Sequence, residues 1–290
     1  MIVHLNGEFL PIEQAKISPL DRGFIFGDGV YEVIPVYSKK PFRMVEHLQR
    51  MQRSMDKIGL ANPHSIERWE ALCMEMIERA PHPDQGLYIQ VTRGVAPRDH
   101  AFPKDTTPTV FMMSNPMRKA PPEWHTEGAA AITANDDRWY NNDIKSTALL
   151  GNVLARQKSA EVGAVETILL RDGMLTEASA SNVLIVKDGE ILSPPKSNLL
   201  LPGTTFDVTI ELAQKHGMPY ELRAITEAEL RGADEIWVTS ATKEVLAITT
   251  LDGKPVGTGK PGAVWKQIYA HYQVFKREST GVGADAAGAA

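Results

Sequence analysis

A chain of 290 residues with 43% hydrophobic and 23% charged residues is long enough to bury the cores of two modest domains. Its formal net charge of -5, with the basic residues scattered along it, argues against a nucleic-acid surface held by phosphate contacts. A single cysteine, Cys73, excludes an intrachain disulfide and fits a reducing cytoplasm. Within Ala71-Leu72-Cys73-Met74 it reads as a buried helix residue and not as a nucleophile. No apolar run reaches the length of a membrane span. The opening Met1-Ile2-Val3-His4-Leu5-Asn6-Gly7 lacks the charged and apolar regions of a signal peptide. The eight histidines show no metal-ligand spacing, so no metal is expected.

In chain order, residues 2–5 and 8–12 flank Asn6-Gly7 and read as a hairpin. A turn-rich segment follows, Ser18-Pro19-Leu20-Asp21-Arg22-Gly23 and then Phe24-Ile25-Phe26-Gly27-Asp28-Gly29. Residues 30–37 form a strand whose alternation puts Tyr31 and Val33 on one face and Val30 and Glu32 on the other. A helix over 43–60 carries Met44, Leu48, Met51, Met55 and Ile58 at spacings of three and four. Glu46, Arg50, Arg53 and Lys57 share another face, which taken alone is a solvated charged face. A second helix over 66–79 is closed by Pro81 and Pro83. The strand 86–93 leads into Gly94-Val95-Ala96-Pro97-Arg98-Asp99-His100, where a guanidinium and an imidazole stand two residues apart. That pair suits a carboxylate or phosphate anion; taken alone, it reads more readily as a solvated polar loop. A strand over 109–114 completes an N-terminal α/β domain, 1–118.

Residues 119–128, with Ala120-Pro121-Pro122, read as a linker to a C-terminal α/β domain over 129–276. There, strands are expected at 129–134, 165–170, 174–178, 182–186 and 190–192, with turns at Asp172-Gly173 and Asp188-Gly189. Leu201-Pro202-Gly203-Thr204-Thr205 opens a helix over 206–216. A short strand at 222–225 precedes Thr226 and Glu229, which have capping-box spacing. The strand 235–239 ends in Ser240-Ala241-Thr242-Lys243, and an amphipathic helix covers 264–275. The tail 277–290 is expected to be disordered.

The chemistry centres on Asn142-Asp143-Ile144-Lys145-Ser146-Thr147-Ala148-Leu149-Leu150-Gly151-Asn152. Leu149, Leu150, Val153 and Leu154 recur at helical spacing, Asp143 suits an N-cap, and Lys145 then lies over the positive end of a helix. That position favours the neutral amine, the form that makes a Schiff base with an aldehyde. Alone, the lysine reads as an ordinary surface residue. Thr204 and Thr205 at a helix start, and the hydroxyl-rich Ser240-Ala241-Thr242, are the donors an anion needs. A phosphorylated aldehyde, pyridoxal 5'-phosphate, unites these features. It needs one carboxylate at its pyridine nitrogen, and Glu177, among small residues in Leu175-Thr176-Glu177-Ala178-Ser179-Ala180-Ser181-Asn182, is suited to it.

Over roughly residues 1–275 the sequence resembles the class IV (fold type IV) pyridoxal-phosphate aminotransferases, and within them the D-amino-acid aminotransferases. The likeness rests on Asp21-Arg22-Gly23, Phe26-Gly27-Asp28-Gly29-Val30-Tyr31-Glu32, Ile144-Lys145-Ser146, Thr176-Glu177-Ala178-Ser179 and Pro202-Gly203-Thr204-Thr205. It implies a two-domain α/β (α+β) fold with the active site at the domain interface, and Lys145 as both cofactor anchor and proton shuttle. It implies that Glu177 pairs with the ring nitrogen, and that Arg50, Thr204, Thr205, Ser240 and the Ala241 amide hold the phosphate. Leu201 would pack on the ring, while Leu149 and Leu150 would be helix core. Tyr31, Arg98 and His100 match the family's grip on the substrate carboxylate, with His47 nearby. In relatives the arginine and histidine come from the partner subunit, so a homodimer acting on small amino acids and 2-oxo acids is implied. Ala178 and Ala180 depart from the family's frequent Gly and Ser. Readings left open are a branched-chain L-aminotransferase, an (R)-amine transaminase or an aminodeoxychorismate lyase of the same fold. A non-catalytic cofactor binder and a cofactor-free Schiff-base aldolase also remain.

Overall fold

The computed structural model describes residues 1–118 and 120–281. Two compact units divide the chain: Met1–Arg118 with Ile144–Leu149 and Glu278–Ala290, and Lys119–Asp143 with Leu150–Arg277. Each unit is built on a sheet packed with helices, in keeping with the expected α/β (α+β) class.

The first unit opens with strands β1 (Ile2–Leu5) and β2 (Glu8–Pro11), paired through Leu5 and Glu8 across Asn6 and Gly7. Both turn residues have positive φ, 50° and 101°, the conformation of the two-residue hairpin turns that asparagine and glycine favour. The segment read as turns holds a short helix, α1 (Arg22–Phe26), capped by the Asp21 carboxylate on the Gly23 amide and ended by Gly27 at φ 66°. Then come β3 (Gly29–Tyr37), β4 (Lys40–Pro41), helices α2 (Met44–Lys57) and α3 (Ile66–Arg79), and strands β5 (Gln85–Thr92) and β6 (Thr109–Pro116). The six strands run in the order β2-β1-β6-β5-β3-β4, every pair antiparallel.

One face of this sheet is the core. Val30, Ile34, Leu87, Ile89, Val91, Val110 and Met112 meet Leu48, Met51 and Met55 of α2 and Trp69, Leu72, Met76 and Ile77 of α3. Side chains of this size contribute about 1.5–3 kcal/mol each on full burial. Cys73 belongs to the same cluster, and burial pushes its thiol up to about 12, so it is an inert core residue as expected. The alternation of β3 is as expected. Val30 and Glu32 are fully buried, while Tyr31 and Val33 lie half-buried on the opposite face.

The second unit comprises α4 (Glu123–Thr126), β7 (Ala129–Asn135), α5 (Leu150–Glu161), β8 (Glu166–Arg171), β9 (Met174–Ala178), β10 (Asn182–Lys187) and β11 (Glu190–Ser193). After these come α6 (Thr204–Lys215), β12 (Tyr220–Leu222), α7 (Glu227–Arg231), β13 (Glu235–Ser240), β14 (Glu244–Leu251), β15 (Lys254–Pro255) and α8 (Ala263–Thr280). Its strands run β12-β11-β10-β13-β14-β7-β8-β9, with β15 on β14, and β14-β7, β7-β8 and β11-β12 are parallel. Val183, Ile185, Ile236, Val238, Leu246 and Ile248 form the centre of its core. Thr226 and Glu229 make the expected reciprocal capping box on α7. The expected disordered tail begins inside α8, which continues to Thr280; its part at 282–290 lies outside the described residues.

The expectation for the Lys145 segment is also overturned. The helix expected to begin behind Asp143 starts only at Leu150, and Lys145 is not in it. Nor is its apolar stripe core: Leu150 is 72% exposed, Val153 59% and Leu154 58%, while Ala155 and Ser159 face inward. The apolar period is real, but the helix lies on the sheet by its small side, and the Thr167 hydroxyl donates to the Ala155 carbonyl there. Among the described residues no helix is long and apolar enough to cross a membrane, and no group of three or more His, Cys, Asp or Glu is placed to hold a metal ion.

Candidate active site

Lys145 lies on an extended strip that pairs with the free edge of β3 at its start. The Tyr31 amide donates to the Lys145 carbonyl at 2.9 Å, the Thr147 amide donates to the Gly29 carbonyl at 2.9 Å, and Val30 bridges Ser146. On the other side the Lys145 amide donates to the Ser54 hydroxyl of α2 at 3.1 Å. The backbone at Lys145 is therefore held from two elements, and its Nζ stands 4.3 Å from the centre of the Tyr31 ring. Glycines permit this close approach. A β-carbon on Gly29 would meet the Val91 carbonyl at 2.7 Å, and one on Gly27 would meet Ala148 at 3.1 Å.

Arg50 is not on a solvated face. It is 4% exposed and paired with Glu32, which is fully buried on the core face of β3. Arg50 donates from Nε to Glu32 Oε2 at 3.0 Å and from Nη2 to Oε1 at 2.6 Å. The Val33 amide donates to Oε1 at 2.9 Å, and His47 Nδ1 lies 3.0 Å from it. Burial penalises the Glu32 carboxylate, but the Arg50 charge and His47 outweigh it and hold its pKa well below the usual carboxylate range. Burial also holds His47 below its ordinary value despite Glu32, and its Nδ1 lies within hydrogen-bond distance of the carboxylate.

Arg98 and His100 are exposed on the loop after β5. Both lie against Phe26: the Arg98 guanidinium is 5.4 Å from its ring centre, and the His100 ring is centred 5.4 Å away. Among the described residues no hydrogen bond, ion pair or ring contact joins either of them to Tyr31. Tyr31 instead stacks on Tyr88, with ring centres 5.7 Å apart.

The second unit gathers another set. Glu177, at the end of β9, is 5% exposed. Its Oε1 accepts from Arg138 Nη1 at 2.7 Å and its Oε2 from the Leu201 amide at 2.9 Å. Burial pushes its pKa up to about 7, against the pull of both donors. Arg138 is itself braced by Asp136, at 2.8 Å from Nε and 2.9 Å from Nη2. The Asn182 side chain donates to the Leu201 carbonyl at 2.7 Å, and its Oδ1 lies against Gly203, where a β-carbon would collide with it. Asn182 also pairs with Thr239, next to Ser240.

Leu201, Gly203, Thr204, Thr205, Ser240 and Ala241 are thus tied to one framework. No side chain caps the N-terminus of α6 at Gly203, so its amides and positive dipole suit an anion. The Ser240–Lys243 turn is anchored by Lys243, whose Nζ donates to the buried Glu166 at 3.0 Å, as the hydroxyls of Ser181 and Ser179 also do. Ser54, Arg138, Glu166, Asn182 and Lys243 escaped the sequence reading. Each is a polar residue with no local pattern, and each acts on a partner distant in the chain.

Each set taken by itself has groups that pyridoxal phosphate would use: in the first unit an amine over an aromatic face, and in the second a buried carboxyl and hydroxyls at a helix start without a side-chain cap. The family model for Amino-transferase class IV matches residues 29–251. The chain belongs to the class IV amino-transferases. It is 40% identical over 273 residues to D-alanine aminotransferase of Bacillus licheniformis, covering 94% of this chain and 96% of the relative. It is also 40% identical over 275 residues to that of Listeria monocytogenes, with 94% and 95% covered. Among solved structures, Escherichia coli branched-chain amino acid aminotransferase superposes with a TM-score of 0.89 at 26% identity, covering 99% of this chain and 97% of that one. A T.th. branched-chain amino acid aminotransferase solved with pyridoxamine 5'-phosphate gives 0.89 at 26% identity, with 97% and 94% covered. Class IV membership agrees with the motifs around Lys145 and Glu177.

Proposed function

We infer that this protein is a transaminase that moves an amino group between D-amino acids and 2-oxo acids, of the D-alanine/2-oxoglutarate type, with pyridoxal 5'-phosphate on Lys145. The observation that carries the D-amino-acid assignment is the 40% identity to D-alanine aminotransferases along 94% of the chain. Shape alone does not choose, because branched-chain enzymes superpose as well at lower identity.

When bound, the cofactor supplies a ring that takes up the electron pair left as the substrate Cα loses its proton. The residues of the chain do the rest. Lys145 Nζ accepts that proton and returns it. Glu177, fixed by Arg138 and the Leu201 amide, would accept a hydrogen bond from the ring nitrogen, and Leu201 would pack on the ring. Thr204, Thr205, Ser240, the Ala241 amide and Arg50 would hold the phosphate. Tyr31, Arg98 and His100 take the substrate carboxylate, a planar guanidinium being suited to two parallel hydrogen bonds.

Arg98→Ala tests the carboxylate assignment. It is expected to raise KM for D-alanine by about ten- to a hundredfold, on the scale of a lost charge-assisted hydrogen-bond pair. An unchanged KM would remove Arg98 from the site. The opposing reading, a branched-chain L-aminotransferase, is decided by the visible absorption band of the loaded protein. Bleaching by D-alanine and not by L-leucine supports the D-assignment, and the reverse pattern overturns it.

A homodimer belongs to the same proposal. Leu150, Val153 and Leu154 form one exposed apolar stripe on α5, and such stripes mark interaction surfaces. Light scattering is expected to give twice the chain mass, falling toward one chain in Leu150→Glu/Leu154→Glu. A cytoplasmic location is proposed with it, in keeping with the free thiol of Cys73.

A further inference from the structure

We propose that Arg22, fixed by Asp28, and the ring of Phe26 form a clamp that sets Arg98 and His100 in place for the substrate carboxylate, making Arg22 and Phe26 positioning residues for substrate selection. This rests on the reading of Arg98 and His100 given above.

The loop they sit on has little to hold it. Residues 98–101 are exposed and outside any helix or strand. Yet Arg22, 3% exposed on α1, reaches three successive residues of that loop. Its Nη1 donates to the carbonyls of Asp99 at 2.6 Å and Ala101 at 3.3 Å, and its Nη2 to that of His100 at 3.4 Å. A charged donor shared among carbonyls makes stronger hydrogen bonds than a neutral one. The guanidinium is itself aimed by Asp28, which accepts from Arg22 Nε at 2.7 Å. Asp28 is anchored in turn by Arg93, through Nε at 2.8 Å and Nη2 at 3.0 Å. Arg93 also donates to the carbonyls of Ile58 and Gly59 beyond the end of α2, and its guanidinium lies 3.6 Å from the ring centre of Phe102. The loop is thereby fixed along its backbone by Arg22 and at its far end by Arg93.

Phe26 fixes the side chains. Its ring centre is 4.9 Å from Arg22, 5.4 Å from Arg98 and 5.4 Å from His100, so one half-buried aromatic ring orients both carboxylate donors and the clamp itself. A guanidinium must present its fork at the right angle to bind a carboxylate through two bonds. Losing the clamp leaves Arg98 and His100 present but free to swing, which weakens substrate capture without touching Lys145 or Glu177.

The test compares Arg22→Met, Arg22→Lys, Phe26→Leu and Arg98→Ala in the cofactor-loaded enzyme. Arg22→Met and Phe26→Leu are each expected to raise KM for both D-alanine and 2-oxoglutarate by about tenfold, with kcat within about threefold of the parent and the visible band unchanged. Arg22→Lys keeps the charge beside Asp28 and should recover part of the loss. Hydrogen exchange at the 98–101 amides should quicken in Arg22→Met. If Arg98→Ala raises KM while Arg22→Met and Phe26→Leu do not, the clamp is refuted and the carboxylate reading stands. If Arg98→Ala changes nothing, the carboxylate reading fails, and the clamp's role in substrate selection fails with it. If Arg22→Met does not fold, Phe26→Leu decides the question alone, with Asp28 still paired to both arginines.

Discussion

Lys145→Ala is expected to lower turnover of D-alanine with 2-oxoglutarate by about 10²–10⁴-fold, the scale on which a positioned proton-transferring group acts, while the protein stays folded. The second half of that expectation comes from the geometry. Everything that places the segment uses its backbone: the amide on Ser54, the carbonyl under the Tyr31 amide, and the neighbouring Thr147 pair with Gly29. Its side chain adds the contact of Nζ with the Tyr31 ring and an electrostatic interaction with His47, worth little at a half-exposed site. Truncation therefore removes the proposed nucleophile and proton carrier and leaves the strip in place. The thermal midpoint should move by no more than a few degrees, and added pyridoxal phosphate should bind without covalent attachment to the chain, as borohydride reduction followed by mass measurement would show. A variant that keeps D-alanine turnover within about tenfold of the parent would place the catalytic amine elsewhere.

The same lysine shows where sequence reasoning stops. The family is legible around it, because Ile144-Lys145-Ser146 stands with Glu177 and the Gly203-Thr204-Thr205 helix start in one recognisable set. The lysine's setting is not. Apolar residues at helical spacing behind it are consistent with a helix starting at Asp143 or at Leu150, and what decides is pairing with β3, more than a hundred residues earlier. Non-local pairing leaves no periodic trace. Arg50 teaches the same lesson in reverse. Glu46, Arg50, Arg53 and Lys57 lie together on a helical wheel, yet Arg50 alone turns in, because Glu32 waits on the core face of β3. A helix period shows which residues share a face but not which charge has a buried counter-ion.

Strands and helices with a clean period were found within a residue or two, as with α3 at 66–79 and β9 at 174–178. β14 was missed, although Val245, Leu246, Ala247 and Ile248 are all buried, because a strand covered on both faces loses its alternation. Arg138 had no signal at all. It lies in a loop, and its function as the brace of Glu177 exists only once Asp136 and Glu177 have been brought together by the sheet.

Glu32→Gln is expected to destabilise the protein by about 3–5 kcal/mol, the cost of leaving a buried charge without its partner. The carboxylate takes four donors: two from Arg50, one from His47 and one from the Val33 amide. A glutamine would offer one oxygen in place of two and turn an N–H toward the guanidinium, so at least one buried donor loses its acceptor. The pH dependence follows from the lowered carboxyl pKa. The ordinary value is 4.5, and in the fold it lies well below that. A group whose folded pKa is depressed contributes fully above its unfolded pKa, and that contribution is lost as pH falls toward the folded one. The gap between parent and variant should therefore stay constant from about pH 7 to about pH 5 and narrow only below about pH 4.5, where protons bind the unfolded parent more readily than the folded one. Urea midpoints at three pH values measure this directly. Adding Arg50→Gln to Glu32→Gln should restore part of the lost stability, since no unpaired ion then remains in the core. Equal stability of parent and Glu32→Gln at neutral pH would mean that water reaches Arg50 and that the buried pair is not what fixes α2 against β3.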